Sequence, residues 1–335
     1  MKQNREDQGY EERQQGVVVK LDRGFPLVRL EDGEEVRCEH AISLVKGSDQ
    51  RAVIGDNVVV ALPEGHDKGI IEETLPRTSA FVRKDPTERS QSQTLAANFD
   101  LVLVAQPLEE VNARRLEREL VLAHETGVQV AVVLTKADLV ASPEEVEAMR
   151  KRIDGFIGND QVLVVSDKDP ESVEALARLI AQDNKMAVLL GRSGVGKSSL
   201  VNMLVGHNLQ ATTPVRERDG KGRHTTVSRE IIPLPAGGSV IDMPGVRGLG
   251  LWDADEGIGA TFSDIEELAQ ACRFRDCTHT NEPGCAVQQA VAEGTLAPER
   301  LESYVRLREE SKQVKVQREE AARIRTRRGH PRRRK

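Results

Sequence analysis

Gly191-Arg192-Ser193-Gly194-Val195-Gly196-Lys197-Ser198 follows an apolar run, Met186 to Leu190, and opens a stretch with helical patterning, Lys197 to Val205. Glycines at this spacing let consecutive backbone N–H groups curl around a phosphate, with the partial positive charge of a helix N-terminus behind them. Lys197 can bridge two neighbouring phosphates, the Ser198 hydroxyl can hold Mg²⁺, and Ser199 continues the stretch. Asp242-Met243-Pro244-Gly245 ends the next strongly apolar run, Ser239 to Ile241. There the Asp242 carboxylate can hold the same ion through water, and the Gly245 N–H can sense a γ-phosphate. Between the two motifs lies Gly222-Arg223-His224-Thr225-Thr226, in a polar segment. Either Thr225 or Thr226 can complete the magnesium shell and order the segment when a triphosphate binds.

A second constellation selects a base. Thr135-Lys136-Ala137-Asp138 follows the apolar run Val128 to Leu134. The Asp138 carboxylate can accept from the N1–H and 2-amino groups of guanine together. Adenine offers neither donor, and a lost polar match of this kind can cost a factor of about 10⁴ in discrimination. Lys136 can lay its alkyl stem along the base. Ser166-Asp167-Lys168, after the run Val162 to Val165, supplies a further loop whose backbone N–H can read guanine O6, with Asp167 adding a carboxylate. The base-reading motif precedes the phosphate loop, whereas small GTPases have the reverse order. The same parts in rotated order imply a circularly permuted GTPase domain. Val246 stands where Ras-type proteins place the glutamine that orients attacking water. An aliphatic residue cannot do this, so intrinsic hydrolysis is expected at about 10⁻³ to 10⁻⁴ s⁻¹, with the water-orienting group unassigned.

A third cluster is metal-like. Cys272-x4-Cys277-x-His279-x5-Cys285 offers three thiolates and one imidazole, using all but one of the four cysteines within 14 residues. Such a closed set fits one structural zinc ion with no position left for a substrate water; buried free thiols are the competing reading.

These groups need elements to hold them. The chain has 335 residues, 38 % hydrophobic and 30 % charged, enough for two or three domains. Residues 1–15 are polar and read as a disordered extension. From 16 to 75, short apolar stretches alternate with turn signals, as in a small β-barrel: an oligonucleotide-binding (OB) barrel, an SH3-like barrel or a β-sandwich. Residues 76–97 read as a linker. From 98 to 250, apolar runs alternate with amphipathic stretches at Asn112 to Glu125, Pro143 to Ile157 and Glu171 to Gln182, the pattern of an α/β domain with a mostly parallel sheet. Residues 251–322 are helical and charged, with Pro298 to Ala322 as one long polar helix. The basic tail 323–335 carries eight Arg or Lys and no acid; against a net charge of −6, it leaves residues 1–322 at −14. That asymmetry suits a polyanionic partner. No apolar run approaches membrane-spanning length and no signal core opens the chain, so the expected setting is cytoplasmic with no membrane partner.

Taken together, these residues resemble the ribosome small-subunit-dependent GTPase family known as RsgA or YjeQ. The likeness rests on the N-terminal barrel, the permuted motif order, Gly222 to Thr226 before Asp242 to Gly245, and the cysteine–histidine cluster after it. It implies a multidomain fold: an N-terminal OB-fold barrel, a central circularly permuted P-loop GTPase and a C-terminal α-helical zinc-binding domain. It also implies late maturation of the small ribosomal subunit, ribosomal RNA binding and subunit-stimulated GTP hydrolysis; a chain monomeric when free is a separate expectation. The resemblance carries over to Thr135–Asp138 and Gly191–Ser199 as GTP-binding stretches, and to Cys272, Cys277, His279 and Cys285 as zinc ligands. Asp253 stands after Leu251-Trp252, where some members carry a histidine. The alternative function is an RNA-binding assembly scaffold with incidental hydrolysis.

Overall fold

The structure is a computed structural model describing residues 10–22, 25–45, 51–63, 65–84, 92–140, 142–154, 157, 160–207, 229–243, 250–252 and 254–328. Five strands come first: β1 (Tyr10–Asp22), β2 (Phe25–Leu30), β3 (Glu35–His40), β4 (Asn57–Pro63) and β5 (Gly69–Thr74), with a short helix α1 (Ile42–Val45) after β3. They pair in the order β1-β2-β3-β5-β4, and β4 returns to β1. The result is a closed barrel, antiparallel except at β3–β5. Val18, Val28, Cys38, Val58, Val60 and Ile71 fill it. Gly16 lies where β1 passes from β4 to β2; a side-chain carbon there would sit 2.6 Å from Val28 Cγ1 and 2.7 Å from the Arg29 carbonyl oxygen.

Two expectations fail here. Residues 10–15 are not a disordered extension: they are the first half of β1, paired from Tyr10↔Pro63 to Gln15↔Val59. Closing the barrel needs only their backbone groups, which hydropathy does not register. Residues 76–97 are not a plain linker. They form the hairpin β6 (Ala80–Lys84) and β7 (Ser92–Ala97), with Phe81 and Leu95 buried. Arg77 grips the buried Asp56 carboxylate at 2.7 and 2.8 Å and anchors the hairpin to the barrel.

The central sheet contains β8 (Leu101–Pro107), β9 (Gln129–Thr135), β10 (Gln161–Val164), β11 (Met186–Leu190), β12 (Arg229–Pro233) and β13 (Ser239–Asp242). Its order is β10-β9-β8-β11-β13-β12, parallel except for β12. Helices α2 (Ala113–His124), α3 (Pro143–Asp154), α4 (Pro170–Ala181) and α5 (Lys197–Val205) connect it. Along β8, Val102 and Val104 enter one core, while Leu101 and Leu103 enter the other with α4 and α5. Burial on both faces explains why this strand reads as a continuous apolar run. β12 also pairs with β1 (Lys20↔Glu230, Leu21↔Arg229), so barrel and central sheet form one hydrogen-bonded surface. Lys20 Nζ meets Glu230 at 2.8 Å across that seam.

The C-terminal part has α6 (Asp255–Thr261), α7 (Ser263–Ala269), α8 (Ala286–Ala292) and α9 (Pro298–Arg328). The long helix outruns its expected end at Ala322 and takes in the first six residues of the basic tail; arginine is a good helix former, and no glycine or proline intervenes before Gly329. Arg300, Ser303, Tyr304, Leu307, Ser311 and Val314 are buried, one stripe at three- and four-residue spacing. This module docks on α2. Arg300 reaches Glu117 (3.2 Å) and Asp264 (2.7 Å), and Arg118 reaches Glu310 (2.6 Å). At Gly257 a side-chain carbon would meet the Val121 carbonyl oxygen at 2.1 Å, so α6 and α2 can touch only at a glycine. No helix among the described residues is long and apolar enough to cross a membrane.

Candidate nucleotide and metal sites

Both nucleotide motifs sit at the carboxyl edge of the central sheet, where open α/β sheets bind ligands. β11 is internal to that sheet, and its exit loop turns straight into α5. Gly191 adopts φ +151°, and a side-chain carbon there would lie 2.7 Å from the Ala105 carbonyl oxygen, so glycine lets the loop cross the end of β8. Gly196, left-handed at φ +102°, aims the loop into the first turn of α5. Arg192, Ser193, Gly194 and Ser199 are exposed, Val195 and Lys197 are buried, and Ser198 and Asp242 are half-buried. Lys197 Nζ donates to the carbonyls of Gly191 (2.6 Å) and Arg192 (3.0 Å). Burial pulls its ammonium below the usual lysine range, opposed by the carboxylates of Asp242 and Glu119.

The base-reading loop leaves β9, separated from β11 only by β8. Thr135 is buried, and its hydroxyl donates to the Val195 carbonyl inside the phosphate loop, with the Gln106 carbonyl 3.3 Å away. Lys136 is left-handed at φ +58°, and the chain then makes a single tight turn, Ala137–Leu139. Asp138 meets Lys168 Nζ at 3.4 Å. Ser166 closes the neighbouring loop: its N–H donates to Ser172 Oγ, and its own Oγ accepts from the Lys168 N–H. Asp167 is exposed. A cleft of about 390 Å³ is lined by Asp138, Ser166 and Lys168 together with Val140, Val146 and Val164.

The four candidate metal donors converge. Cys272 Sγ, Cys277 Sγ, His279 Nδ1 or Nε2 and Cys285 Sγ all lie within 4.8 Å of one another. Cys272 and Cys285 sulfurs are 3.8 Å apart, and His279 Nδ1 lies 3.6 and 3.4 Å from them. A tetrahedral ion with three thiolates and one imidazole has S···S edges of about 3.8 Å and S···N edges of about 3.6 Å. The donor set therefore fits such an ion. Burial holds His279 below the usual histidine range, which favours the neutral, ligating imidazole. Gln288 Nε2 donates to the His279 carbonyl (2.6 Å), and Glu282 accepts from the N–H groups of Thr278 and Thr280, which fixes the loop.

A family model described as RsgA GTPase matches residues 74–252. A Streptomyces coelicolor protein named small ribosomal subunit biogenesis GTPase RsgA is 42 % identical over 319 residues, covering 95 % of this chain and 86 % of its own length. A Syntrophotalea carbinolica protein of the same name is 38 % identical over 319 residues, covering 92 % and 86 %. The chain belongs to the RsgA GTPase family. Among solved structures, YjeQ from Thermotoga maritima matches with a TM-score of 0.66 at 25 % identity, over 90 % of this chain and 99 % of that one. YloQ, described as a circularly permuted GTPase, matches with a TM-score of 0.63 at 26 % identity, over 92 % and 98 %.

In this RsgA GTPase, the structure brings Thr135 against the phosphate loop, gathers Asp138, Ser166 and Lys168 around one cleft, and joins the four metal donors. Thr225, Thr226, Gly245, Val246 and Asp253 lie outside the described residues. Sequence reasoning missed a buried polar pair, Gln106 near the end of β8 and Glu119 on α2. Burial raises the Glu119 carboxyl to about 7, and the Gln106 amide and the charges of Arg115 and Lys197 offset only part of that. Glu119 sits between Leu116 and Leu120 in an apolar helix stripe. An acid in such a stripe was a signal available in the sequence.

Proposed function

We propose that this GTPase binds the small ribosomal subunit and its ribosomal RNA, assists late subunit maturation, and hydrolyses GTP to GDP and phosphate faster when the subunit is bound. The carrying observation is the likeness over 95 % of the chain to a protein named for small-subunit biogenesis. Asp138 pairs with guanine, Lys136 flanks the base, and the Ser166–Asp167 backbone reads O6, with the Asp167 carboxylate turned to solvent. The Gly191–Ser199 stretch cradles the phosphates, with Lys197 on the β- and γ-phosphates. Ser198 and Asp242 (through water), with Thr225 or Thr226, would hold Mg²⁺, and the Gly245 N–H senses the γ-phosphate. Bound Mg²⁺ would neutralise charge developing on the phosphates. The Cys272, Cys277, His279 and Cys285 set would hold one zinc ion, which would staple the loop between α7 and α8. The chain acts as a cytoplasmic monomer when free of the subunit, and its basic tail adds RNA affinity through phosphate contacts.

GTP turnover titrated with purified small subunits tests this reading, with large subunits as control. Turnover should rise with small subunits alone. Binding without any rise supports an assembly scaffold instead, and no binding overturns both readings.

A further inference from the structure

Gln106 and Glu119 form a buried pair linked to the phosphate loop through Thr135, which bonds both the Gln106 and the Val195 carbonyls. Gln106 is 0 % and Glu119 8 % exposed. Gln106 Nε2 donates to Glu119 Oε2, while Gln106 Oε1 has no hydrogen-bond partner among the described residues. The Gln106 main chain is in turn held to the loops, since its carbonyl lies 3.3 Å from Thr135 Oγ1. An ionised carboxylate with one neutral donor is poorly compensated in such a place and depends on nearby cations.

The cations whose charge reaches Glu119 are Arg115, one turn earlier on α2, and Lys197 from α5. Among the described residues, several other charged groups against α2 are engaged elsewhere, and Arg306 acts on Glu117. On α9, Arg300, Glu302 and Glu310 pair with Glu117, Arg114 and Arg118. From α6, the Gly257 N–H donates to Glu125. β9 presents apolar residues such as Val130 and Val132 to this core. Asp242, at the end of β13, also attracts Lys197. Lys197 is therefore shared: the group that must reach nucleotide phosphates also offsets a buried acid on α2.

We propose that Glu119 is a proton-linked positioning residue for Lys197: a bound nucleoside di- or triphosphate draws the ammonium forward, and Glu119 takes a proton from solvent to stay buried without its cation. The proposal rests on the phosphate loop binding a nucleotide. The step is a protonation only. A solvent proton adds to a Glu119 carboxylate oxygen, and no other bond forms or breaks. The Glu119 carboxyl, raised to about 7 by burial, titrates where a small push changes its state. Loss of Lys197 and arrival of phosphate charge both push it higher. The protonated protein thus binds nucleotide more tightly, and affinity falls as pH rises through 7. The expected loss between pH 7 and 8 is about threefold or more, up to about tenfold per pH unit.

Isothermal titration calorimetry of GDP with Mg²⁺, at pH 7.5 in buffers of different ionisation enthalpy, counts the protons taken up. The full chain is compared with Glu119→Gln. The terminal phosphate of GDP titrates in the same range, but equally for both proteins, so their difference isolates Glu119. Wild type should take up about half a proton more than E119Q, and only wild type should lose affinity in this added, pH-dependent way. Equal proton counts, with GDP bound by both, overturn the proposal and leave the nucleotide site intact. Failure of wild type to bind GDP overturns both. If E119Q folds poorly, infrared difference spectra of wild type serve instead. GDP binding should then add a protonated-carboxyl band, and its absence would dismiss the idea.

Discussion

The Thr135 hydroxyl donates to the Val195 carbonyl, 60 residues further along the chain, and so locks the base-reading loop to the phosphate loop. Both partners are buried. This bond ties two segments that are distant in sequence into one cradle. A threonine in the first place of the motif therefore retains a structural task that needs only one short donor.

Thr135→Val should leave the Val195 carbonyl unpaired and cost about 1–3 kcal/mol of stability. GDP and GTP affinities should fall together, by about tenfold for a loss near ~1.4 kcal/mol, because the change disturbs the cradle rather than one phosphate contact. Thr135→Ser keeps the donor and should stay close to wild type. Urea denaturation and titration with a fluorescent guanine nucleotide measure both effects. A valine variant indistinguishable from wild type would remove the bond from the account.

Much of this cradle was legible because its chemistry is local. The helix expected over Lys197–Val205 appears with those bounds, flanked by Gly196 and Gly206, which both take left-handed backbone. Motif order alone announced the permutation, and β11 sits between β8, which precedes it in the chain, and β13, which follows it. What escaped was non-local or carried by backbone. The strand at Tyr10–Gln15 is polar, and its evidence is the partner strand β4. The β1–β12 seam joins residues some two hundred positions apart, as in Lys20 with Glu230. Glu119 was visible as an acid in an apolar stripe, but its partner was not. Its pairing with Gln106 depends on which helix face meets β8, and no local pattern fixes that.

Metal removal gives a second test. Cys285 is both a candidate ligand and the cap of α8, where its sulfur accepts from the Gln288 N–H at 3.4 Å. Val287 and Ala290 carry α8 into the same buried core as Leu301 and Leu307 of α9. Cys285→Ser should therefore lower zinc content from one ion per chain towards none and cost several kcal/mol, as loss of a structural metal does. GDP binding at 25 °C should persist, while stimulation of turnover by small subunits should drop more than tenfold. Atomic emission, thermal melts and the turnover assay report these separately. A serine variant that keeps its zinc and its melting temperature would argue against a structural ion.

Glu119 also predicts how stability depends on pH without any nucleotide. Its carboxyl stands at about 7 in the folded chain against 4.5 for an ordinary glutamate. Between those values the folded state binds more protons than the unfolded state, so stability from this group is full below 4.5 and is lost as pH rises through 7. Above 7 the buried carboxylate is ionised and poorly compensated. Glu119→Gln keeps an uncharged hydrogen-bonding group beside Gln106 at every pH. Relative to wild type, it should therefore gain about 1–3 kcal/mol on going from pH 5 to pH 8. Groups held low, such as Glu310 beside Arg118 and Asp255 beside Lys315, lose their contribution in acid instead. Both proteins share them, so they cancel in the comparison. Urea denaturation of the two proteins at pH 5 and pH 8 gives the difference directly. Parallel pH profiles would mean that Glu119 is ionised throughout this range and fully compensated by its neighbours, against the raised carboxyl.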